Sequence, residues 1–144
     1  MTSEAQKADF KILRDGSWLH EGVKIARHRL AKLFADRALK RDEDGNYWLQ
    51  TPFEKYPVEV EDVPFVIVDY EADGQAVSLR TNMDETVELD EGSVWELRGG
   101  IPYIEVRDGL FARVGRAALY NMVEDFGPKI SIRGAVFPLG ETKQ

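Results

Sequence analysis

Two short stretches in the middle of the chain carry the side chains best suited to hold a ligand. The first offers the hydroxyl of Thr51, the carboxylate of Glu54 and the ammonium group of Lys55. Pro52 lies within this stretch and Pro57 follows it. Because proline fixes its own backbone and restricts the residue before it, the polar groups would point in set directions. Loops held by a rigid scaffold often bind ligands, so Thr51, Glu54 and Lys55 are candidate binding residues.

The second stretch is Arg80-Thr81-Asn82, which presents a guanidinium, a hydroxyl and an amide in succession. A guanidinium can bind a phosphate or a carboxylate through two hydrogen bonds at once, which favours an anionic ligand. The alternative is that Arg80 forms an ion pair with one of the many carboxylates in this half of the chain. The sequence leaves both interpretations open.

Three carboxylates, Glu59, Glu61 and Asp62, lie close together and could perform acid and base chemistry. Two carboxyl groups can serve as acid and base when their surroundings separate their pKa values. Glu59 and Glu61 alternate with valines, however, and the simpler interpretation is the solvated face of a strand. Asp62 differs because the following Val63-Pro64 should turn it away from that face.

Other familiar chemistries lack sequence support. There is no cysteine and there are two histidines, His20 and His28, which makes a zinc site improbable. The acidic stretch 42–45 has its glycine at the wrong offset for a calcium loop, and Phe53 stands where a glutamate is required. Phosphate-loop, dinucleotide-binding and hydrolase motifs are also missing. We predict no metal and no cofactor.

Charge is distributed unevenly along the chain. The net charge of −7 disfavours a general nucleic-acid binder, which needs a surplus of basic residues. Residues 1–55 contain 11 basic and 9 acidic side chains, a balance of +2, which leaves −9 for the remainder. The lack of cysteine, of an export signal and of a long apolar run predicts a cytoplasmic protein without a membrane span.

Alternating apolar residues and turn signals predict an α+β fold. Strands are expected at residues 10–13, 18–19, 58–61, 65–68 and 76–81, with further strands up to residue 106. A hairpin is expected within residues 39–51, and a last pair of strands, 130–133 and 135–137, is expected to be joined through Gly134. The apolar run 65–68 is typical of a fully covered central strand. A helix of about 13 residues is expected beyond Gly22, with Ala26, Leu30, Leu33 and Phe34 on its buried face. Its other face carries Lys24, Arg27, His28 and Lys32, which could bind phosphate but are more simply a solvated surface.

Part of the sequence repeats. Arg107-Asp108-Gly109 matches Arg14-Asp15-Gly16, and an aromatic residue and a helical apolar stripe follow in both copies. This pattern predicts two small lobes, residues 1–62 and 63–144, that arose by duplication of a strand-turn-strand-helix unit with added antiparallel strands. Residues 51–64 lie between the two copies.

Several of these stretches together resemble the bacterial family catalogued as domain of unknown function 1285. The resemblance extends over nearly the whole chain, and it rests on these motifs: residues 10–16, 47–55, 60–65, 80–82 and 107–113.

The resemblance implies two α+β lobes, the second loosely similar to pleckstrin-homology folds. It also implies a pocket between the lobes for an anionic, nucleotide-like ligand, and a role in signalling. The residues that match the family's motifs are Thr51, Pro52, Glu54, Lys55, Glu61, Asp62, Arg80, Thr81, Asn82 and Arg107.

Three functional hypotheses follow. The leading one is a ligand-binding or sensory module in which Lys55 and Arg80 contact the charge of an anionic small molecule such as a nucleotide. The second is an enzyme in which Asp62 or Glu61 acts as general base. The third is an interaction module that engages a partner protein through a strand edge or through the acidic second lobe.

Overall fold

The computed structural model describes residues 9–140. These residues form two compact units. Unit 1 contains the described residues up to Pro64 together with Asp108–Leu110, and unit 2 contains Phe65–Arg107 and the described residues from Phe111 onward.

Unit 1 is built on a sheet to which six strands of its described residues contribute. The strands are β1 (Phe10–Ile12), β2 (Trp18–His20), β3 (Val23–Lys24), β4 (Leu39–Arg41), β5 (Tyr47–Gln50) and β6 (Lys55–Val60). Their order across the sheet is β3-β2-β1-β6-β5-β4. The central pair, β1 and β6, is parallel, whereas the other neighbours are antiparallel.

One helical segment lies between β3 and β4. It consists of the α-helix α1 (His28–Leu33) and a following π-helical turn (Phe34–Ala38). Its buried side chains are Ala31, Ala35 and Ala38. The predicted buried face is wrong, because Ala26 is exposed, Leu30 and Leu33 are 40% and 51% exposed, and Phe34 is only partly buried.

Aromatic residues fill the core of unit 1 beneath this segment. Trp18 is buried, and its ring centroid lies 6.0 Å from that of Phe34. Phe34 also meets Phe10 edge-on, with 5.7 Å between the ring centroids. Aromatic pairs at such distances contribute beyond the area they bury, so these contacts anchor the helical segment to the sheet.

Unit 2 contains a sheet of the same kind. Its strands are β7 (Phe65–Asp73), β8 (Ala76–Thr81), β9 (Thr86–Glu88), β10 (Trp95–Arg98), β11 (Ile101–Arg107) and β12 (Leu110–Val114). Their order is β10-β11-β12-β7-β8-β9, with β12 and β7 parallel at the centre. The helix α2 (Arg116–Phe126) and the hairpin of β13 (Lys129–Ile132) and β14 (Ala135–Pro138) complete the unit.

The two sheets have the same topology, because in each the first strand in sequence pairs in parallel with the sixth. This shared strand order confirms the predicted α+β fold with an internal duplication. The repeated Arg-Asp-Gly tripeptide occupies different turns, however. Arg14-Asp15-Gly16 joins the first and second strands of unit 1, whereas Arg107-Asp108-Gly109 joins the fifth and sixth strands in the chain order of the second sheet.

Strand β7 is longer and less covered than its apolar run predicted. Phe65, Val66 and Ile67 are buried, but Val68 is 43% exposed. The pairing of β7 with β8 shifts register between Ile67 and Asp69, which is the signature of a bulge. A bulge bends the strand and changes the direction of its side chains, which accounts for the exposure of Val68.

Candidate functional site

Thr51 closes the turn between β5 and β6. Its Oγ1 accepts hydrogen bonds from the backbone N–H groups of Phe53 and Glu54 at 3.2 and 3.0 Å, and its own N–H donates to the carbonyl of Glu54 at 2.8 Å. A threonine hydroxyl that bonds backbone groups two and three residues ahead is a common way to fix a turn. The hydroxyl that was predicted to face a ligand therefore shapes this turn.

Lys55 lies over an aromatic ring. Its Nζ is 4.3 Å from the centroid of the Trp48 ring, and the Trp48 indole N–H donates to Asp42 at 2.9 Å. The hydrogen bond from Trp48 and those from the backbone of Asn46 and Asp44 hold the pKa of Asp42 below its usual value. Beside the turn, Glu54 raises the pKa of Tyr56 by accepting its hydrogen bond.

Glu61 and Asp62 hold the turn that begins at Arg14. The Arg14 backbone N–H donates to Glu61 Oε1 at 2.8 Å, and its guanidinium lies 3.2 Å from Asp62 Oδ2. Lys11 Nζ lies 3.7 Å from Glu61 and 3.6 Å from Glu59. These contacts fasten the β1–β2 turn to the end of β6. The role of Asp62 or Glu61 as a general base stays a prediction.

In unit 2, Thr81 is completely buried at the end of β8. Its Oγ1 accepts the backbone N–H groups of Met83 and Glu85 at 3.1 and 3.2 Å, and its N–H donates to the carbonyl of Glu85 at 2.8 Å. The side chain thus organises the turn between β8 and β9. At 0% exposure, Thr81 is unavailable to a ligand in this structure.

Asn82 continues the pairing of β8 with β7 by means of its side chain. Its Oδ1 accepts the Val66 N–H at 3.0 Å, and its backbone N–H donates to the Val66 carbonyl at 2.8 Å. The amide satisfies a backbone group next to the bulge of β7, where regular pairing is interrupted. Asn82 therefore has a structural role at this position.

Arg107 forms an ion pair within unit 2. Its Nε lies 3.0 and 3.3 Å from the two carboxylate oxygens of Glu85, and both side chains are about a quarter exposed. The guanidinium carbon is also 5.9 Å from the centroid of the Phe65 ring. This arrangement links the end of β11 to the turn that Thr81 organises.

Arg80 lines a hollow of about 130 Å³ on one face of the β7–β8–β9 sheet. The strand register places Arg80 beside Asp69 on one side and Thr86 on the other, with Glu71 and Ser78 in the next row. The Arg80 guanidinium lies 3.4 Å from Asp69 and 3.3 Å from Asp84, and its side chain is 43% exposed. Among the predicted binding residues of unit 2, Arg80 is the one that borders a described hollow.

Tyr70 borders the same hollow and donates a hydrogen bond from its hydroxyl to Asp125 on α2. Burial, followed by this hydrogen bond, raises the pKa of Tyr70 to about 12 from an ordinary value of 10.0. The proton is held more tightly in the folded state than in the unfolded state. The resulting stabilisation is complete below pH 10 and is lost as the pH rises toward 12.

We therefore expect an alkaline loss of stability that depends on Tyr70. Thermal melts of the wild type and Tyr70→Phe, recorded from about pH 8 upward, would compare the two proteins. Between pH 10 and 12 the Tm of the wild type should fall more steeply than that of the variant, which has no phenol to ionise. Parallel curves would contradict this account of the Tyr70–Asp125 contact.

Within the described residues of unit 1, side chains line two further hollows. One, of about 490 Å³, is lined by Asp9, Phe10, Pro57, Val58 and Glu59. The other, of about 700 Å³, lies along α1 and is lined by Arg27, His28, Arg29, Leu30 and Leu33. The density of cations around α1 is visible in the sequence, although a solvated surface is the simpler interpretation of that pattern.

The predicted binding residues are divided between the two units. Thr51, Glu54, Lys55, Glu61 and Asp62 belong to unit 1, and Arg80, Thr81, Asn82 and Arg107 belong to unit 2. Within residues 9–140, no group of three metal-ligating side chains is placed to hold a metal ion. In the same part of the chain, no helix has the length and apolar character needed to cross a membrane.

Two family models together cover most of the chain. Residues 2–63 match the model described as domain of unknown function (DUF1285), N-terminal domain. Residues 64–137 match the model described as protein of unknown function (DUF1285), C-terminal domain. No curated protein matches the chain.

Two solved structures are similar to this chain. One is a DUF1285 family protein from Silicibacter pomeroyi DSS-3, which is 30% identical with a TM-score of 0.79, over 93% of this chain and 80% of that one. The other is a DUF1285 family protein from Shewanella baltica OS155, which is 33% identical with a TM-score of 0.68, over 81% of this chain and 91% of that one.

Proposed function

This chain belongs to the DUF1285 family, a family of unknown function, and we propose that it is a binding module for a small polar molecule with an anionic group. The observation that carries the proposal is the position of the Arg80 guanidinium, half-exposed at the wall of a hollow in unit 2. The hydroxyl-bearing residues Ser78 and Thr86 line the same hollow and can donate or accept hydrogen bonds.

The volume of the hollow limits the ligand. At about 130 Å³ it is smaller than the roughly 300–1,000 Å³ typical of pockets for small-molecule ligands. A whole nucleotide is much larger than this space. The hollow therefore suits a small molecule, or the small head group of a larger one.

The charges around the hollow limit the ligand further. Arg80 attracts an anionic group, but Asp69 and Glu71 on the same sheet face repel one. A ligand that carries an ammonium group close to a carboxylate could pair its carboxylate with Arg80 and its ammonium group with Asp69 or Glu71. The geometry thus supports a small zwitterion, such as an amino acid, more than a simple anion.

The ion pairs of Arg80 leave it available for a ligand. Its partners Asp69 and Asp84 have side chains that are 60% and 42% exposed. Exposed pairs of this kind contribute about 0–1 kcal/mol, because water screens them. A ligand carboxylate can replace one of these contacts at a correspondingly small cost.

Replacement of Arg80 should weaken binding of a zwitterion. Titrations of ¹⁵N-labelled protein with glycine, alanine, acetate and ethylammonium, followed by NMR, should shift the amide signals of Ser78, Arg80 and Thr86 most strongly with the zwitterions. Arg80→Gln should lower the affinity roughly 10- to 100-fold, since a charge-assisted hydrogen bond contributes about 1.5–3 kcal/mol.

Arg98→Gln provides a matched control. Arg98 lies in β10 of the same unit, is similarly exposed and pairs with Glu96, but it does not line the hollow. The Arg98→Gln variant should bind the zwitterions as the wild type does. The proposal fails if none of the probes shifts these amide signals at millimolar concentration, or if both arginine variants lose the same affinity.

A further inference from the structure

The segment around α1 is strongly basic in a protein that is acidic as a whole. Residues 24–41 contain seven basic side chains and one acidic side chain, Asp36, whereas the complete chain has a net charge of −7. The basic residues are Lys24, Arg27, Arg29, Lys32, Arg37, Lys40 and Arg41. A concentration of one sign within a chain of the opposite sign orients the molecule toward an anionic surface.

None of these seven cations forms an ion pair with a carboxylate within the described residues 9–140. Elsewhere, Arg14, Arg80 and Arg107 each contact a carboxylate. The positive charges of Arg27 and Arg29 can therefore interact with an anionic group that approaches α1 from outside the protein.

Apolar side chains accompany these charges. Leu30 and Leu33 are 40% and 51% exposed, and with Arg27, His28 and Arg29 they line the open hollow of about 700 Å³. Ala31, Ala35 and Ala38 of the same segment are buried. The exposed leucines and the neighbouring cations together form a surface that combines apolar and positive groups.

We propose that this α1 surface docks on a lipid bilayer that contains anionic headgroups. The leucines would enter the boundary between headgroups and acyl chains, while the neighbouring cations contact lipid phosphates. Helices that lie on a bilayer combine an apolar side with lysine and arginine in this way. The residues outside 24–41 are acidic overall, so the attraction to an anionic bilayer comes from the α1 segment.

A bilayer fits this surface better than a helical peptide does. A bound peptide helix requires apolar anchors over about two turns of a groove, at spacings of three, four and seven residues. The α1 surface offers two exposed leucines three residues apart, with cations beside them. Such a patch can insert shallowly into a bilayer without a partner of matching shape.

Co-sedimentation with vesicles tests the proposal. The protein should bind vesicles of phosphatidylcholine with about one-third phosphatidylglycerol, and should not bind vesicles of phosphatidylcholine alone. Arg27→Gln with Arg29→Gln should lower the partition coefficient roughly 30-fold, since each basic residue near an anionic surface contributes about 1 kcal/mol. Leu30→Ser with Leu33→Ser should also weaken binding, because it removes the inserted apolar groups.

The double variant Arg116→Gln, Lys129→Gln is the matched control, because both residues are exposed cations of unit 2 and the loss of charge is equal. This control should bind the vesicles as the wild type does. Arg80→Gln should also bind them as the wild type does, which distinguishes vesicle binding from the proposed zwitterion binding at Arg80. Failure to bind anionic vesicles at low salt would overturn the proposal. Equal losses in the two charge variants, or a preference of the α1 surface for an acidic peptide over the vesicles, would also overturn it.

Discussion

Replacement of Thr81 by valine should lower the free energy of unfolding by about 2–4 kcal/mol. Valine has nearly the shape of threonine, so the buried volume is kept while the acceptor Oγ1 is lost. The N–H groups of Met83 and Glu85 would then lack their partner within the turn. A buried donor left unsatisfied costs about 1–3 kcal/mol, and of the two donors affected here the Met83 N–H is buried and the Glu85 N–H is partly buried.

Urea unfolding monitored by tryptophan fluorescence and by circular dichroism would measure this loss. Thr81→Ser is the matched control, because it keeps the hydroxyl and removes one methyl group, which costs about 1 kcal/mol when it is buried. Comparable losses in the two variants would show that packing, and not the hydrogen bonds, makes Thr81 important. The interpretation of Thr81 as a turn-forming residue would then be incorrect.

The same local geometry explains why three consecutive residues that suggested one site have three different roles. Arg80 borders the hollow, Thr81 forms the β8–β9 turn and Asn82 satisfies the backbone of Val66. Their residue types indicated hydrogen-bonding capacity correctly. The sequence could not indicate the partner of Asn82, because Val66 lies 16 positions away and next to the bulge in β7. The partners of Thr81 are local, but residue type alone does not distinguish a hydroxyl that fixes a turn from one that faces a ligand.

The strands could largely be predicted, because alternation and turn residues are local signals. The predicted strand at residues 76–81 is confirmed as β8, with Val77, Leu79 and Thr81 buried in alternation. The hairpin through Gly134 is likewise confirmed. These local signals do not indicate which distant strands pair, as β1 and β6 do in parallel. Such pairing depends on closing a long loop.

The orientation of the first helical segment could not be predicted from apolar spacing. A uniform helix would have placed Leu30, Leu33 and Phe34 on one buried face. The actual segment begins at His28 and changes to a π-helical turn at Phe34, which shifts the phase of the side chains after Phe34 but not that of Leu30 and Leu33. Small alanines form the buried side, and the leucines are left on the surface that we propose docks on membranes.

Gly115→Ala should lower the free energy of unfolding by about 1–3 kcal/mol, which is typical of overpacking in a well-packed region. Gly115 follows β12 where it runs parallel to β7, and its N–H donates to the Ile67 carbonyl at 3.0 Å. An added Cβ would lie 2.9 Å from that carbonyl oxygen and 3.1 Å from Cγ1 of Val66. Because the first of these neighbours is backbone at the centre of the sheet, relief requires the two strands to separate or α2 to shift.

Gly92→Ala is the control for Gly115→Ala, because neither glycine has the positive φ that would strain an alanine. A Cβ at Gly92 would meet Asp90 Oδ1 at 3.4 Å, which is an ordinary van der Waals distance. Urea unfolding should therefore show a change within about 0.5 kcal/mol for this control. Equal stabilities of the two variants would mean that β7 and β12 tolerate separation at Gly115, and that the close approach of the parallel pair does not constrain unit 2.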